Sequence, residues 1–419
     1  MDALSQLTDH PLLAEEAVPR GFRFAAVRAG IKASGNPDLA CAVSERPATA
    51  AAMFTSNRVV AAPVVLGREH LAQSRHQIRA LVVNAGNANC ATGQAGMEAA
   101  QRVCREAAEV FGCDPHAVFP SSTGIIGVPL PEQKLISALP AAREALGSSA
   151  AHLESMARAI MTTDTRPKVA TAVCTVDGAT VRLAGIAKGA GMIFPRLASP
   201  HATMLAYIFT DGGIAPETAA ALLAQSVESS FNRISIDGDT STNDTVLLWA
   251  SGASGATIPD RDNHGSDFTA FAQALDQVCL SLAKQIVADG EGIKHVVELN
   301  IVGAATDADA LRVARAIAHS PLVKTSWAGC DPNWGRILST VGSSGVPIDP
   351  ALVNISLGDL EICDRGGVSP RFDKGAAHRY LQQHDISIRV DLGAGSRSCR
   401  FWTTDLTAEY VRINADYST

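Results

Sequence analysis

Residues 188–211 of this 419-residue chain read Lys-Gly-Ala-Gly-Met-Ile-Phe-Pro-Arg-Leu-Ala-Ser-Pro-His-Ala-Thr-Met-Leu-Ala-Tyr-Ile-Phe-Thr-Asp, a Gly- and Pro-punctuated stretch that runs straight into a strand-like segment. Thr203 is the first residue of that segment. A threonine hydroxyl on a strained turn can attack the carbonyl of the residue before it, and Ala202 is small enough to leave its carbonyl accessible. Hydrolysis of the resulting ester would free an α-amino group on Thr203. With an ordinary pKa of about 7.7–8.0, that amine can take the proton of its own hydroxyl at neutral pH, making one residue both nucleophile and base. A threonine at a strand start is more commonly a β-branched structural residue, so the spacing raises this chemistry without establishing it. His201 stands two residues earlier, where cleavage would leave it on the other fragment, and it reads as a loop residue. Lys188-Gly-Ala-Gly resembles a fragment of a phosphate loop, but neither G-x-x-x-x-G-K-[ST] nor a strand-linked G-x-G-x-x-G is present, and no nucleotide is expected.

The elements that must position such a residue are legible as periodicity. Met97, Ala100, Cys104, Ala107 and Phe111 recur at helical spacing over 95–111, with Gly112 as a C-terminal cap. Pro216 opens a helix through about Phe231. Phe271, Leu275, Val278, Leu282 and Ile286 mark a further helix that stops at Asp289-Gly290, and Thr306 with Asp309 stands at capping-box spacing before a helix running to Pro321. Strands are expected at Ala80–Asn84, Ala170–Val176, Thr203–Thr210, Thr245–Ala250, His295–Val302, Val353–Leu357, Ile386–Leu392 and Tyr410–Ile413. Residues 251–266 read as a long surface loop. The class is mixed α and β. Strands and helices do not alternate regularly, so layered α+β packing is at least as compatible as a doubly wound sheet, and periodicity alone leaves the topology open.

Bulk composition narrows the function. A chain this long exceeds one typical core and predicts two or three domains. At 47% hydrophobic and 18% charged residues it reads as a packed globular body. The net charge of −7 comes with scattered Lys and Arg, which disfavours nucleic acid and favours a small-molecule partner. The N-terminal residues lack a signal-peptide pattern and no apolar window reaches membrane-spanning length, so a cytoplasmic protein is expected. Nine cysteines lie far apart without a C-x-x-C pair, which predicts buried, reduced thiols and neither a metal site nor a disulfide framework.

Ten motifs in order turn these fragments into one reading. They are Phe54-Thr-Ser-Asn-Arg58, Val83-Asn-Ala-Gly-Asn-Ala-Asn89, Ser122-Thr-Gly-Ile-Ile-Gly127, Met161-Thr-Thr-Asp-Thr165, Lys188-Gly-Ala-Gly-Met192, Ala202-Thr-Met-Leu205, Asp237-Gly-Asp-Thr-Ser-Thr-Asn-Asp-Thr245, Asp289-Gly-Glu-Gly292, Asp331-Pro-Asn-Trp-Gly-Arg336 and Ile413-Asn-Ala-Asp-Tyr-Ser-Thr419. Through them the chain resembles, over essentially its whole length, the self-cleaving ornithine acetyltransferase / glutamate N-acetyltransferase family of arginine biosynthesis.

The resemblance implies a layered α/β/β/α sandwich with a smaller C-terminal α+β domain. It implies cleavage between Ala202 and Thr203 into an α chain, 1–202, and a β chain, 203–419, of which 203–290 completes the sandwich and about 291–419 forms the C-terminal domain. Two copies of each would assemble as an α2β2 tetramer. The implied reaction moves acetyl from N-acetylornithine to Thr203 and then to glutamate without a cofactor; some members also use acetyl-CoA. Thr123 and Gly124 match the oxyanion-stabilising pair, and a Gly-containing turn can aim an N–H and a hydroxyl at one point. Thr162, with Thr163 as the neighbouring option, Lys188, Glu291, Asn414 and Thr419 match substrate contacts, which brings the C-terminal tail back onto the site. The match breaks just before the cut: Ala190 replaces Ser, Phe194 replaces Ala, and Arg196-Leu-Ala-Ser-Pro-His201 stands where Asn-Met is expected, a four-residue insertion. These differences open the alternatives of a paralogue with another acyl donor or acceptor, an N-terminal-nucleophile amidase or aminopeptidase, or a non-enzymatic binding protein.

Overall fold

A computed structural model describes residues 13–196, 204–260 and 265–416. Up to residue 196 the elements are β1 (Phe22–Val27), β2 (Leu39–Phe54), α1 (Ala62–Gln73), β3 (Gln77–Asn87), α2 (Gly93–Phe111), β4 (Val118–Ile125), α3 (Glu132–Glu144), α4 (Ala150–Ala159), β5 (Lys168–Val176) and β6 (Ala179–Lys188). Next come β7 (Leu205–Thr210), α5 (Pro216–Ser229), β8 (Thr245–Ala250) and α6 (Ser266–Val287). The C-terminal part adds β9 (Val296–Ala304), α7 (Asp307–His319), α8 (Pro321–Ala328), α9 (Trp334–Gly342), β10 (Asn354–Leu357), β11 (Leu360–Asp364), β12 (Gly367–Val368), α10 (Lys374–Tyr380), β13 (Asp385–Asp391), β14 (Arg397–Thr404) and α11 (Ala408–Asp416).

Local signals explain several of these boundaries. Gly112 ends α2 at φ 68, a left-handed conformation that favours glycine. The Thr306 side chain accepts a hydrogen bond from Asp309 N and starts α7. Pro216 occupies the first turn of α5, where its missing N–H costs nothing.

Strands β1 to β8 form one hydrogen-bonded sheet that folds over at β2. Leu39–Val43 of β2 pair with β3 and with β1, whereas Thr49–Phe54 pair with β8, and the β2/β3 register shifts between Val43 and Ala48. Side-chain alternation then sets the layers. Leu81, Val83, Tyr207, Phe209, Leu247 and Trp249 face a shared interior with Phe22 and Phe24. Ala80 and Val82 face away, onto Ala100 and Cys104 of α2 and Leu135 and Leu139 of α3. Ala206, Ile208, Val246 and Leu248 pack on Leu222 of α5 and on Leu275 and Leu282 of α6. The result is helix, sheet, sheet, helix, the layered sandwich expected from the motifs. Phe22 meets Trp249 edge-on at 5.1 Å, and burying each such ring contributes about 1.5–3 kcal/mol.

The second sheet runs β12-β11-β10-β13-β9-β14, with β9 and β13 parallel. It has its own core, including Leu299, Ile301, Ile317, Trp327, Ile388 and Phe401. Trp402 of β14 reaches into the core under α6, and Ser235 N donates to Trp402 O at 3.0 Å, which ties the two layers of structure together.

One sequence expectation is corrected. Tyr410–Ile413 is not a strand but part of α11. Arg412 pairs with Glu409 at 2.6 Å and with Asp416 at 3.6 Å, i,i+3 and i,i+4 spacings that exist only on a helix. Three apolar residues in a four-residue run carried too little periodicity to decide. All nine cysteines are free, six of them buried. Among the described residues no helix is long and apolar enough to cross a membrane, and no group of His, Cys, Asp and Glu is placed to hold a metal.

Candidate active site

The floor of the site is a place where two strands come unusually close. In the parallel β3/β4 pair, Ala85 lies beside Thr123 and Gly86 beside Gly124. Gly124 has φ 130, and a Cβ there would sit 2.3 Å from Gly86 C and 2.5 Å from Asn87 N, so only glycine fits. Asn243 holds this end in place: its Nδ2 donates to Ala88 O at 2.6 Å and Ser122 O at 2.9 Å. Three strand ends line up next to it. Lys188 ends β6 opposite Leu205 of β7, and Leu205 lies beside Thr245 of β8. Across the gap, Lys188 Nζ donates to Thr123 Oγ1 at 3.1 Å.

These groups line a cavity of about 340 Å³. Thr123, Gly124, Thr162, Lys188, Glu291 and Asn414, each expected from the motifs, all face it, as does Thr163, the neighbouring option to Thr162. Ala202, Thr203 and Thr419, and with them His201, lie outside the described residues. Met204, the residue after Thr203, lines the cavity.

The opposite wall comes from the C-terminal part. After α6 ends, Glu291 N donates to Ala190 O at 3.0 Å. Its carboxylate lies so close to Gly191 that a Cβ there would meet Glu291 Oε2 at 2.4 Å. Asn414 Nδ2 donates to Glu291 Oε2 at 2.9 Å, so α11 returns to the cavity and orients the glutamate. The loop opposite is pinned by Asp237, whose carboxylate accepts from Met192 N at 2.7 Å and Ile193 N at 2.9 Å; Tyr410 Oη donates to the same carboxylate at 3.3 Å. Met192 is held there at φ 55, a strained conformation for a side chain of its kind.

Beneath the wall is a saturated ionic cluster. Lys168 Nζ lies 2.6 Å from Asp164 Oδ1 and 2.6 Å from Asp289 Oδ2, all three side chains being almost wholly buried. Asp164 also accepts from Gly189 N at 2.6 Å and Thr162 N at 3.0 Å, which fixes the backbone on both sides of the cavity edge. Burial alone would raise the Asp164 carboxyl, but the Lys168 and Lys188 ammonium groups and these hydrogen bonds hold it at about 2. On the cavity wall the balance is reversed. Burial lowers the Lys188 ammonium, only partly countered by Asp164, and burial pushes the Asp244 carboxyl well above the usual carboxylate range, with Lys188 opposing.

The motifs include Asp164, Asp237, Asn243, Asp244 and Asp289, but the resemblance assigns these residues no role. The available signal was the density of polar residues in Asp237–Thr245, a segment too polar for the strand entry it occupies. Phe194 and Arg196, two of the departures from the family pattern, are not among its lining residues. Phe194 instead packs edge-on against His319 with ring centroids 4.2 Å apart, with the Arg196 and Arg315 guanidinium groups over its ring.

Comparison with known proteins supplies the family. Residues 23–419 match the model of the ArgJ family. An "Arginine biosynthesis bifunctional protein ArgJ" from Geobacter sulfurreducens is 44% identical over 401 residues, covering 96% of this chain and 99% of that protein. One of the same name from Thermus thermophilus is 44% identical over 402 residues, covering 96% and 99%. Among solved structures, the ArgJ protein of Bacillus halodurans is 38% identical with TM-score 0.48, spanning 50% of this chain and 98% of that one. The ornithine acetyltransferase of Mycobacterium tuberculosis, solved with ornithine, is 35% identical with TM-score 0.39, spanning 43% and 94%. With a family match over nearly its whole length and relatives this similar end to end, the chain belongs to the ArgJ family.

Proposed function

We propose that the cavity transfers acetyl from N-acetylornithine to glutamate through an acetyl-Thr203 intermediate, after the chain cuts itself between Ala202 and Thr203. The observation that carries this reading is the convergence of Thr123, Gly124, Thr162, Lys188, Glu291 and Asn414, drawn from distant segments, on one cavity that Met204 also lines.

The chemistry follows from the donors present. Thr203 Oγ forms a bond to the acetyl carbon, the amide C–N bond breaks, and the hydroxyl proton passes by way of the Thr203 α-amine to the departing nitrogen. Thr123 Oγ1 accepts from Lys188, which leaves its own O–H to donate, beside Gly124, to the oxygen where negative charge develops. The Lys188 ammonium suits a substrate carboxylate, and the Glu291 carboxylate, oriented by Asn414, suits a substrate ammonium. No step requires a cofactor. In this reading residues 1–202 and 203–419 remain associated, 203–290 completing the sandwich and 291–419 forming the smaller unit, with two copies of each fragment in a cytoplasmic assembly. Acetyl-CoA would be an additional donor.

The test is the intact mass of freshly purified protein under denaturing conditions. Wild type is expected as two fragments meeting at Ala202/Thr203, and Thr203→Ala as one 43.6 kDa chain. A single uncleaved chain in both would overturn the reading. For the cleaved enzyme, the ratio of N-acetylglutamate to free acetate separates a transferase from an amidase.

A further inference from the structure

Asp244 is the last residue before β8, and Thr245 N donates to Met204 O at 2.6 Å, so Asp244 stands at the strand ends that meet at the cavity. It lines the cavity, yet it is only 1% exposed, and among the described residues its Oδ2 has no hydrogen-bond partner. The neighbouring carboxylates are different: Glu291 accepts from Asn414, and Asp237 accepts from the Met192 and Ile193 amides. The cation facing Asp244 is Lys188, whose Nζ donates to Thr123 instead. A buried carboxylate without a donor is costly. The donor is therefore to be sought in the ligand, and the ligand of an acyl transfer to an amino acid brings an ammonium.

We propose that Asp244 is a general base of the cavity, which receives the ammonium group of the amine acceptor and takes its proton so that the amine can attack the acyl-enzyme. This rests on the acyl-Thr203 reading. The Thr203 α-amine carries one proton back to Thr203 Oγ when the acyl group leaves, whereas an amino acid at neutral pH arrives as an ammonium with two protons to lose, and it cannot act as a nucleophile until a second base removes the first. The protons balance over the cycle. In the first half-reaction protonated Asp244 gives its proton to the released donor amine, which leaves as an ammonium ion. In the second, the Asp244 carboxylate takes a proton from the acceptor ammonium. The free amine then forms the new C–N bond, the ester C–O bond to Thr203 breaks, and one of the two amine protons returns to Thr203 Oγ while the other stays on the product amide. The high proton affinity that burial gives Asp244 suits a group that must hold this proton at neutral pH.

The test uses the full cleaved enzyme, pre-acetylated and then discharged with either glutamate or hydroxylamine, a nucleophile that is unprotonated at neutral pH and needs no such base. In Asp244→Asn, discharge to glutamate is expected to fall by about a hundred- to ten-thousandfold, while discharge to hydroxylamine stays near the wild-type rate. Equal losses with both nucleophiles, or an unchanged rate with glutamate, would overturn the proposal. Failure of wild-type protein to take up an acetyl group, read by mass, would instead overturn the acyl-enzyme reading beneath it. If Asp244→Asn does not cleave or fold, Asp244→Glu keeps the carboxyl; it is expected to retain discharge to glutamate, and parallel loss with both nucleophiles there counts against the proposal.

Discussion

Two sets of buried charges meet at this cavity and are handled in opposite ways. In the cluster underneath, Lys168 has two carboxylates at 2.6 Å, and Asp164 has three donors, Lys168 Nζ, Gly189 N and Thr162 N. Thr165 N and Oγ1 both donate to Asp289. On the wall, among the described residues, Lys188 has a single hydroxyl acceptor and Asp244 has an oxygen with no partner. Saturation makes the first set a fastener between the 161–168 segment and the end of α6. Incomplete pairing makes the second set a place where a ligand's charges lower the free energy that the fold alone leaves high. Neighbouring groups of the same chemical types thus divide into structure and function by their partners.

This contrast breaks or sharpens under three measurements. The largest effect is expected from Lys168→Met, which removes the buried ammonium that bridges Asp164 and Asp289. It should cost about 3–5 kcal/mol in chemical denaturation; a loss below about 1 kcal/mol would remove the distinction between fastener and wall. Thr123→Val comes next. It keeps the β-branched shape in β4 but removes the hydroxyl, so kcat should fall about a hundred- to thousandfold with an unchanged unfolding midpoint. Loss of stability with activity retained would reverse the assignment of the two regions.

The smallest effect is the acid sensitivity of the cluster. The Asp164 carboxyl is held at about 2 in the folded protein against an ordinary 3.8. Because the folded-state value is depressed, its contribution is complete above pH 3.8 and is lost as the pH falls toward 2, about 2 kcal/mol in all. Stability measured from about pH 4 down to pH 2 should therefore fall less steeply in Asp164→Asn than in wild type; parallel curves would exclude Asp164 as the titrating group.

Much of the architecture was legible because its signals are local. Gly112, Thr306 and Pro216 mark helix ends through the backbone conformation or hydrogen bond each residue type supplies, and residues 246–250 stand out as an uninterrupted apolar run. The strand expected at the tail fails for the same reason in reverse. Residues 410–413 carry no period of their own, and α11 is stabilised by ion pairs within the helix and by contacts to Glu291, a residue more than a hundred positions away. The fold-over at β2 is also invisible: no strand is expected over 39–54, and a change of partners partway along one strand leaves no mark in its spacing.

The motifs by themselves determined the family resemblance and six residues that line the cavity, because chemistry of this kind needs particular side chains and glycines at fixed positions along the chain. Only the tertiary structure decided which of the remaining charges belong to the site. Asp164, Asp237, Asp244 and Asp289 are the same residue type in equally polar surroundings of sequence. What separates them is the number of donors each meets after folding, a property of strand register and burial that no spacing along the chain encodes.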